Sequence, residues 1–542
     1  MKHNTKIILA AIMLFALLIR LLVSWQPVPI LVERIVLDDS LYGYQIARNI
    51  ASGNGITYNG LDLTNGFQPL WVFLIAPVYL LTENIHTAIN LILSLQAVMD
   101  VLIIFLIYKL GKQVFTEEVG VLAGFIWAVN PLILFQTMSG IDVTLYIVLV
   151  LTSIILYNKI KDSLALKNSA ILGALLGLTF LARGDGILLF AVVTAHILLT
   201  RKKFILSKEF LAILITALVV VSPWLMWNIT TFGTLTPSSH IATYGSAHGL
   251  IPFYDLQEPR TFLEVLSMVG ESFIRAFGSL ANQMGVVDFN LSLYTILLVP
   301  IFLLGIYGFL KSYRKMIVSV GFCLMLVLFY AGYMWGVQIR YLTPIIPFIA
   351  LFIASAFSDL SGRMGGYTER RIYFNNMLNI FLLAVLIAFV MAVNINGIEQ
   401  WERGYFPWQK HIYEDALWIR DNIPNDEIVG SFASGIPIYF NNHTTINLDG
   451  ILNYDAIDAI YNKSMYAYMK SRNITYWEES SYHNQSAIVS MRKGEFDITV
   501  ENQWRGIFGD GSNMTLRRNM CDVFRHMRGF DMLVCFFVMG VK

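Results

Sequence analysis

Between residues 7 and 394 the chain returns repeatedly to uninterrupted apolar sequence. The runs lie near 7–25, 88–109, 119–137, 143–158, 169–183, 187–200, 209–227, 292–311, 316–336, 341–359 and 374–394. About 20 apolar residues cross the ~30 Å hydrocarbon layer as a helix, which satisfies its backbone polar groups without water. With 56% hydrophobic and 14% charged residues, there is too little charge to solvate these runs as the surface of a water-soluble fold. The chain reads as a polytopic α-helical membrane protein with about eleven transmembrane helices. A net charge of +1 offers no basic face for nucleic acid. Met1-Lys-His-Asn-Thr-Lys6 and the run after it resemble a signal peptide. No small-x-small cleavage site follows and Arg20 interrupts the run's end, so it reads as an uncleaved first span.

Lys and Arg concentrate at Lys109/Lys112, Lys159/Lys161/Lys167, Arg201-Lys-Lys203, Lys311/Arg314/Lys315 and Arg363/Arg370/Arg371. The positive-inside rule puts these clusters in the cytoplasm. Eleven crossings beginning inside satisfy that for every cluster. The stretch Gly66–Leu81 is apolar, but counting it as a crossing would move Lys109 and Lys112 outside. It reads as a juxtamembrane or re-entrant helix held by Trp71 and Tyr79 at the interface, with a true crossing as the alternative.

This topology divides the chain into a membrane domain, 1–394, with outer loops 26–87 and 228–290, and a soluble extracytoplasmic α/β domain, 395–542. The latter, ~148 residues, is long enough for its own core. Ile412–Asn422 has helical periodicity ending before Pro424, and Glu427–Phe432 and Thr445–Leu448 read as strands, as does Asp531–Met539. Glycosylation sequons begin at Asn228, Asn290, Asn442, Asn462, Asn473, Asn484 and Asn513, all in segments placed outside. Three cysteines make no zinc site; Cys323 lies in a span, and Cys521 and Cys535 could pair in an oxidising space.

The polar residues that interrupt apolar sequence gather on the outer side, and charge at membrane depth usually marks a working site. Asp38 and Asp39 stand first, where Asp39 or Ser40 can cap a helix through Ala51 that Ser52-Gly-Asn-Gly55 ends. One acid can deprotonate an acceptor hydroxyl while the other orients it or holds a cation; the bland account is a cap and a solvated charge. Asp142, after Ser139-Gly140, is a helix cap, a second site carboxylate facing Asp38, or both. Arg183 and Asp185 sit in a turn where a local ion pair is the favoured account and a phosphate contact the other. Arg340 with Tyr341 has no acid nearby in sequence, which points its guanidinium at phosphate rather than at interfacial snorkelling. Ser239 and His240, in Phe232–His240, carry groups that could bind sugar or diphosphate, although turn chemistry alone also yields such a segment. His240 has no second His at ligand spacing, so no metal ligand is assigned; a divalent cation is left open.

Taken in order, these stretches resemble the GT-C membrane glycosyltransferases, particularly their protein-mannosyltransferase-like members (glycosyltransferase family 39 and its bacterial and archaeal cousins). The likeness rests on Leu37–Ile56, Thr64–Trp71, Ser139–Leu145, Leu181–Gly186, Ser222-Pro-Trp224, Phe232–Ser239, Arg340–Pro344 and Ile446–Asn453. No single motif is specific; their order and side of the membrane are. The resemblance implies inverting transfer of a sugar, hexosyl or pentosyl, from a polyprenyl-phosphate donor to a glycan, lipid or protein acceptor on the extracytoplasmic face. It makes Asp38 the acid/base, Asp39 its neighbour and Asp142 the second-loop acid, where the family commonly has the longer Glu. Gln68, Arg183, Asp185, Ser239, His240, Arg340 and Tyr341 become substrate-binding candidates. The Trp-Trp-Asp-Tyr-Gly motif of oligosaccharyltransferases does not occur, which argues against en bloc transfer to Asn.

No G-x-x-x-x-G-K-[ST], H-E-x-x-H or G-x-S-x-G occurs, so neither a nucleotide nor the commonest hydrolase chemistry is expected. The competing function is a lipid-linked saccharide flippase. That reading predicts polar residues spread through the bilayer and repeat symmetry. The expected home is the plasma membrane of a prokaryote with the N-terminus cytoplasmic; the sequons lean toward an archaeon and would also suit a eukaryotic endomembrane.

Overall fold

The computed structural model describes residues 2–201, 207–248, 293–333, 339–362, parts of 380–400, 401–462, 464–481 and 485–490. Its first helices are α1 (Lys2–Ser24), α2 (Val28–Arg34), α3 (Asp38–Ala51), α4 (Pro69–Ile75), α5 (Val78–Leu81), α6 (Ile85–Val114), α7 (Glu117–Ala128) and α8 (Pro131–Thr137). Then come α9 (Val143–Ile160), α10 (Leu166–Ala182), α11 (Ile187–Thr200), α12 (Lys208–Phe232), α13 (Ser238–His248), α14 (Leu293–Ser312), α15 (Ile317–Tyr333), α16 (Ile339–Leu342) and α17 (Ile346–Gly362). Among the described residues, six helices are long and apolar enough to cross a membrane, or seven with the α7–α8 pair. The chain is an integral membrane protein.

The apolar run 119–137, expected as one span, is α7 and α8 bent by 75° at Val129–Asn130. Asn130 causes the break: its side chain accepts the Leu132 N–H at 3.0 Å and caps α8, whose first residue, Pro131, has no N–H to continue α7. The runs 169–183 and 187–200, expected as two further crossings, are shorter apolar helices that meet at the Arg183–Gly186 turn. The segment 66–81 is α4 and α5, broken at Ala76-Pro77. Its 13 helix-forming residues reach only about 20 Å at ~1.5 Å each, short of the ~30 Å layer. Trp71 does not anchor it at an interface: it is buried and donates Nε1–H to the Gly140 carbonyl at 3.1 Å. The Tyr79 hydroxyl meets the Tyr439 hydroxyl at 3.0 Å.

The membrane helices hold together in part through a buried ion pair, Arg20 of α1 with Asp100 of α6, to which Trp127 of α7 donates Nε1–H at 2.9 Å. A charge in an apolar bundle is tolerable only with such partners.

After residue 400 come α18 (Gln409–Asn422), β1 (Ile428–Ser431), α19 (Gly435–Phe440), β2 (Thr444–Asn447), α20 (Tyr454–Tyr461), α21 (Met465–Ser471), β3 (Tyr476–Ser481) and β4 (Gln485–Ser490). The sheet order is β2-β1-β3-β4, with β1 parallel to both neighbours and β3–β4 antiparallel. Asp531–Met539, Cys521 and Cys535 lie outside the described residues. One apolar cluster joins this part to the α1–α6 connection: Tyr44, Ile46, Trp71 and Ile75 share it with Ile412, Tyr413, Ile436, Tyr439 and Phe440. Burying both sides in one core, rather than on two solvated faces, fixes the sheet domain above α3.

Of the sequons, Asn442, Asn462 and Asn473 are exposed. Asn228 is fully buried within α12 and accepts from Asn65 Nδ2 at 3.3 Å, which leaves no space for a glycan. Asn290, Asn484 and Asn513 lie outside the described residues.

Candidate active site

The α2–α3 connection turns sharply between apolar anchors: Leu31, Val32, Ile35, Val36 and Leu41 are all buried. Neither Asp39 nor Ser40 caps α3. Leu37, extended at φ −77°, ψ 141°, is the cap and Asp38 the first helical residue. The Ser40 hydroxyl turns back to the Leu37 carbonyl at 2.6 Å. The capping role foreseen for the doublet thus falls to the backbone, and both carboxylates are free to face other elements. At the helix end Gly53 and Gly55 take φ 80° and 73°.

Asp38 is 5% exposed. Its Oδ1 accepts the Ile436 N–H at 2.6 Å, and its own N–H donates to Gln409 Oε1 at 2.8 Å. Burial pushes its carboxyl well above the usual range, the neighbouring negative charges of Asp39 and Asp449 add to that, and the Ile436 amide opposes it. A carboxylate so tuned is a stronger base than an exposed one.

Asp39 points elsewhere. Arg340 Nη2 reaches its Oδ2 at 2.6 Å, so the arginine without an acid nearby in sequence has one in space, 301 residues away. The Arg340 guanidinium also lies 5.2 Å from the Tyr341 ring centroid. The same ring also meets a second group of charges. Tyr341 stacks on Tyr330 at 4.7 Å, and Arg183 lies 5.2 Å from the Tyr341 centroid. Arg183 binds Asp142 through Nη1 at 3.2 Å, Asp185 through Nε at 3.3 Å and the Tyr330 hydroxyl through Nη2 at 2.9 Å. The Tyr330 hydroxyl in turn donates to Asp185 at 2.5 Å. The local Arg183–Asp185 pair is therefore real but forms part of a larger buried network. In it Asp142 is still raised above the usual carboxylate range, because burial outweighs Arg183 and Arg340.

Asp142 is delivered by a turn that tolerates little change. Gln96 of α6 clamps it, donating to the Ile141 carbonyl at 2.6 Å and accepting the Gly140 N–H at 3.0 Å. Gly140 has φ 89°, and a Cβ there would lie 2.7 Å from both the Ser40 and the Tyr44 hydroxyl oxygens. Asp142 makes no side-chain cap bond to α9, so its carboxylate serves Arg183 instead.

A sequence family described as dolichyl-phosphate-mannose-protein mannosyltransferase matches residues 68–227. No curated protein matches the chain. Among solved structures it is similar to the apo oligosaccharyltransferase of Archaeoglobus fulgidus, at 15% identity over 88% of this chain and 69% of that one, with TM-score 0.53. It is similar to ArnT from Cupriavidus metallidurans bound to undecaprenyl phosphate, at 12% identity, 88% and 97% coverage and TM-score 0.56. A third is archaeal oligosaccharyltransferase AglB from Archaeoglobus fulgidus with an inhibitory peptide and a dolichol-phosphate, at 14% identity, 94% and 77% coverage and TM-score 0.53. The fold is that of the GT-C membrane glycosyltransferases.

The matched segment contains Gln68, Asp142, Arg183 and Asp185. Asp38 and Asp39 precede it, and Arg340 and the sheet domain follow it. Gln68 caps α4 by its backbone, half-buried and without a side-chain cap bond. His240 is set over the Arg183–Asp185 turn: a Cβ on Gly184 would stand 3.2 Å from its Cε1. Burial lowers its pKa, which favours a neutral imidazole there. Ser239 is half-buried, and it is the adjacent Ser238 that bridges segments, taking its N–H to Asn65 Oδ1 at 3.1 Å and its hydroxyl to the Ile451 carbonyl at 2.7 Å.

Two residues join the site that the sequence had not marked for it. Asp449, in the Ile446–Asn453 stretch that carries part of the resemblance, accepts from the Tyr42 hydroxyl at 3.3 Å, one helical turn beyond Asp38. It also accepts from Asn447 Nδ2 at 2.7 Å and Ile451 N–H at 2.8 Å, and burial pushes its carboxyl up to about 7. Gln409 is the other. The only signal for Asp449 was its place in Ile446–Asn453, and Gln409 had none. Among the described residues, no group of three or more His, Cys, Asp or Glu side chains is arranged to hold a metal ion.

Proposed function

We propose that the chain is an inverting glycosyltransferase that moves a hexosyl or pentosyl group from a polyprenyl-phosphate donor to a hydroxyl acceptor on the extracytoplasmic face. The observation that carries this reading is Asp38, a buried carboxylate of raised pKa on the first turn of α3, with the Asp39–Arg340 pair beside it. Asp38 takes the acceptor hydroxyl proton as the acceptor oxygen bonds to the anomeric carbon. The bond from that carbon to the phosphate oxygen breaks, and the polyprenyl phosphate leaves with both electrons. One displacement inverts the centre with no covalent sugar–protein intermediate. Arg340 is the candidate for the donor phosphate, with Asp39 holding it until the lipid arrives; guanidinium matches phosphate oxygens bidentately. Tyr341, Arg183 and Asp185 would support that end, and Asp142 would be held by Arg183 as the second carboxylate. Gln68, Ser239 and His240 remain candidates for sugar or acceptor.

The similar solved structures that carry undecaprenyl phosphate or dolichol-phosphate support a lipid-phosphate donor. The reading includes the eleven-crossing topology, a membrane domain over 1–394 and an extracytoplasmic domain over 395–542, in a prokaryotic plasma membrane. The test is transfer of labelled sugar from a short-chain polyprenyl-phosphate donor in liposomes, comparing wild type with Asp38→Asn. Loss of transfer by roughly 10²-fold or more with donor binding kept is the expected result. Undiminished transfer by the variant would remove Asp38 as base. Inactivity of both proteins on a panel of donors, together with lipid-saccharide translocation, would make the chain a flippase.

A further inference from the structure

We propose that Gln409, from the start of the C-terminal segment, is a positioning residue for Asp38, so that the sheet domain is a working part of the site rather than a cover over it. The inference rests on the assignment of Asp38 as base. Gln409 is fully buried. Its Nε2 donates to the Val32 carbonyl at 2.6 Å and the Val36 carbonyl at 2.7 Å, and its Oε1 accepts the Asp38 N–H at 2.8 Å. The first of these carbonyls belongs to the last turn of α2, and the N–H is one of the unpaired donors at the head of α3. Both amide hydrogens and a lone pair of one planar group are thus spent on the few residues that set where α3 begins. Water could satisfy the same atoms, but it would not fix their separation.

The amide itself is held from behind. The Phe406 N–H donates to the Glu33 carbonyl at 3.0 Å and the Gln409 N–H to the Phe406 carbonyl at 3.0 Å, which zips the approach to α18 onto α2. From the other side, Ile436 N–H binds Asp38 Oδ1. Gly435 comes so near that a Cβ would lie 2.2 Å from the Asp38 carbonyl oxygen. Asp38 is therefore gripped at its backbone N–H by α18 and at its carboxylate by α19. Loosening the first grip lets the second slip. The titratable groups facing Asp38 are Asp39 and Tyr42 of its own helix and Asp449 of the C-terminal turn.

The test uses the full-length protein with the polyprenyl-phosphate donor and three readouts. Gln409→Met keeps the side-chain length and removes every hydrogen bond. The expected result is a fall in kcat on the order of 10- to 100-fold, the scale of a misplacement near 1 Å, with donor KM within about twofold. The acid limb of the kcat/KM profile moves to higher pH, because the Ile436 amide that stabilises ionised Asp38 is lost. Amide exchange over residues 36–42 speeds up. Where the Met variant does not fold, Gln409→Asn keeps a neutral amide but shortens it by one methylene, so it cannot span the same three backbone atoms, and carries the same expectation. Arg472→Ala, which breaks a contact to Asp62 away from Asp38, serves as the control with kcat unchanged. A folded Gln409 variant with wild-type kcat, pH profile and exchange overturns the inference. Faster exchange with unchanged kcat, alongside an active Asp38→Asn, shows that Gln409 holds the junction but that the base lies elsewhere, which overturns the catalytic assignment instead.

Discussion

Replacing Arg183 by Gln should cost far more than deleting a surface ion pair, and the cost should depend on pH in a definite direction. Arg183 is 6% exposed and neutralises Asp142 and Asp185, which are 8% and 6% exposed, while also serving the Tyr330 hydroxyl. Removing one partner of a buried pair typically costs about 3–5 kcal/mol, because the remaining charge is left desolvated. Two carboxylates share this cation, so the upper end applies, unless one takes a proton. Asp142 is the one to do so: burial already raises it and Arg183 is the main force pulling it down. Without Arg183 its folded pKa rises further above the unfolded value. The native variant then binds more protons than the unfolded chain, and its stability falls as pH rises through that raised pKa. The slope is at most about 1.4 kcal/mol per pH unit for one proton. Thermal survival of the monodisperse protein in detergent, scanned at pH 5.5 and pH 8, should show a small deficit at the lower pH and a large one at the higher. Adding Asp142→Asn to Arg183→Gln should recover part of the loss at pH 8. A variant as stable as wild type at pH 8, or one whose deficit does not change with pH, would refute the reasoning.

Asp449, raised to about 7 by burial, makes the native state bind a proton that the unfolded chain has released, so it costs stability as pH rises from about 4 to 7. Asp449→Asn should match wild type in thermal survival at pH 4 and exceed it at pH 8. Gly140→Ala meets both a positive φ and a Cβ position 2.7 Å from Ser40 and Tyr44 oxygens. It should lower transfer by roughly tenfold or more by displacing the start of α3, while the detergent-purified protein stays folded.

The apolar runs were legible because a helix in hydrocarbon must be apolar along its length, and that requirement is written locally. The same signal could not show that 119–137 bends at Asn130-Pro131, since hydropathy is blind to a break of one residue. Trp71 read as an interfacial anchor because composition gives a residue's type and not its partner; only the fold brings the Gly140 carbonyl to its indole. The acids and arginines stood out individually as charges in greasy sequence. Their pairing did not, because Asp39 and Arg340 are 301 residues apart and nothing local to either reports the other. Gln409 left no mark at all. An uncharged residue at the start of an amphipathic helix looks like surface, and its burial follows from α2 docking above it.

That asymmetry bears on how such a site is built. Each group that tunes Asp38 from outside α3 comes from the C-terminal segment: Gln409 and Ile436 across 371 and 398 residues, and Asp449 through its charge. The membrane helices, by contrast, supply the cations and hydroxyls that surround Asp142 and Asp39. One carboxylate is thus set by the sheet domain and the others by the bundle, and they converge only when the shared apolar cluster of Tyr44, Trp71, Ile436 and Tyr439 is closed. Separating the two parts would expose that cluster and return Asp38 to water, where its pKa would fall toward the ordinary carboxylate range. The bundle alone would keep its arginines but lose the burial that raises the Asp38 carboxyl. Fusion of the two parts in one chain therefore makes the basicity of Asp38 conditional on a correctly docked sheet domain.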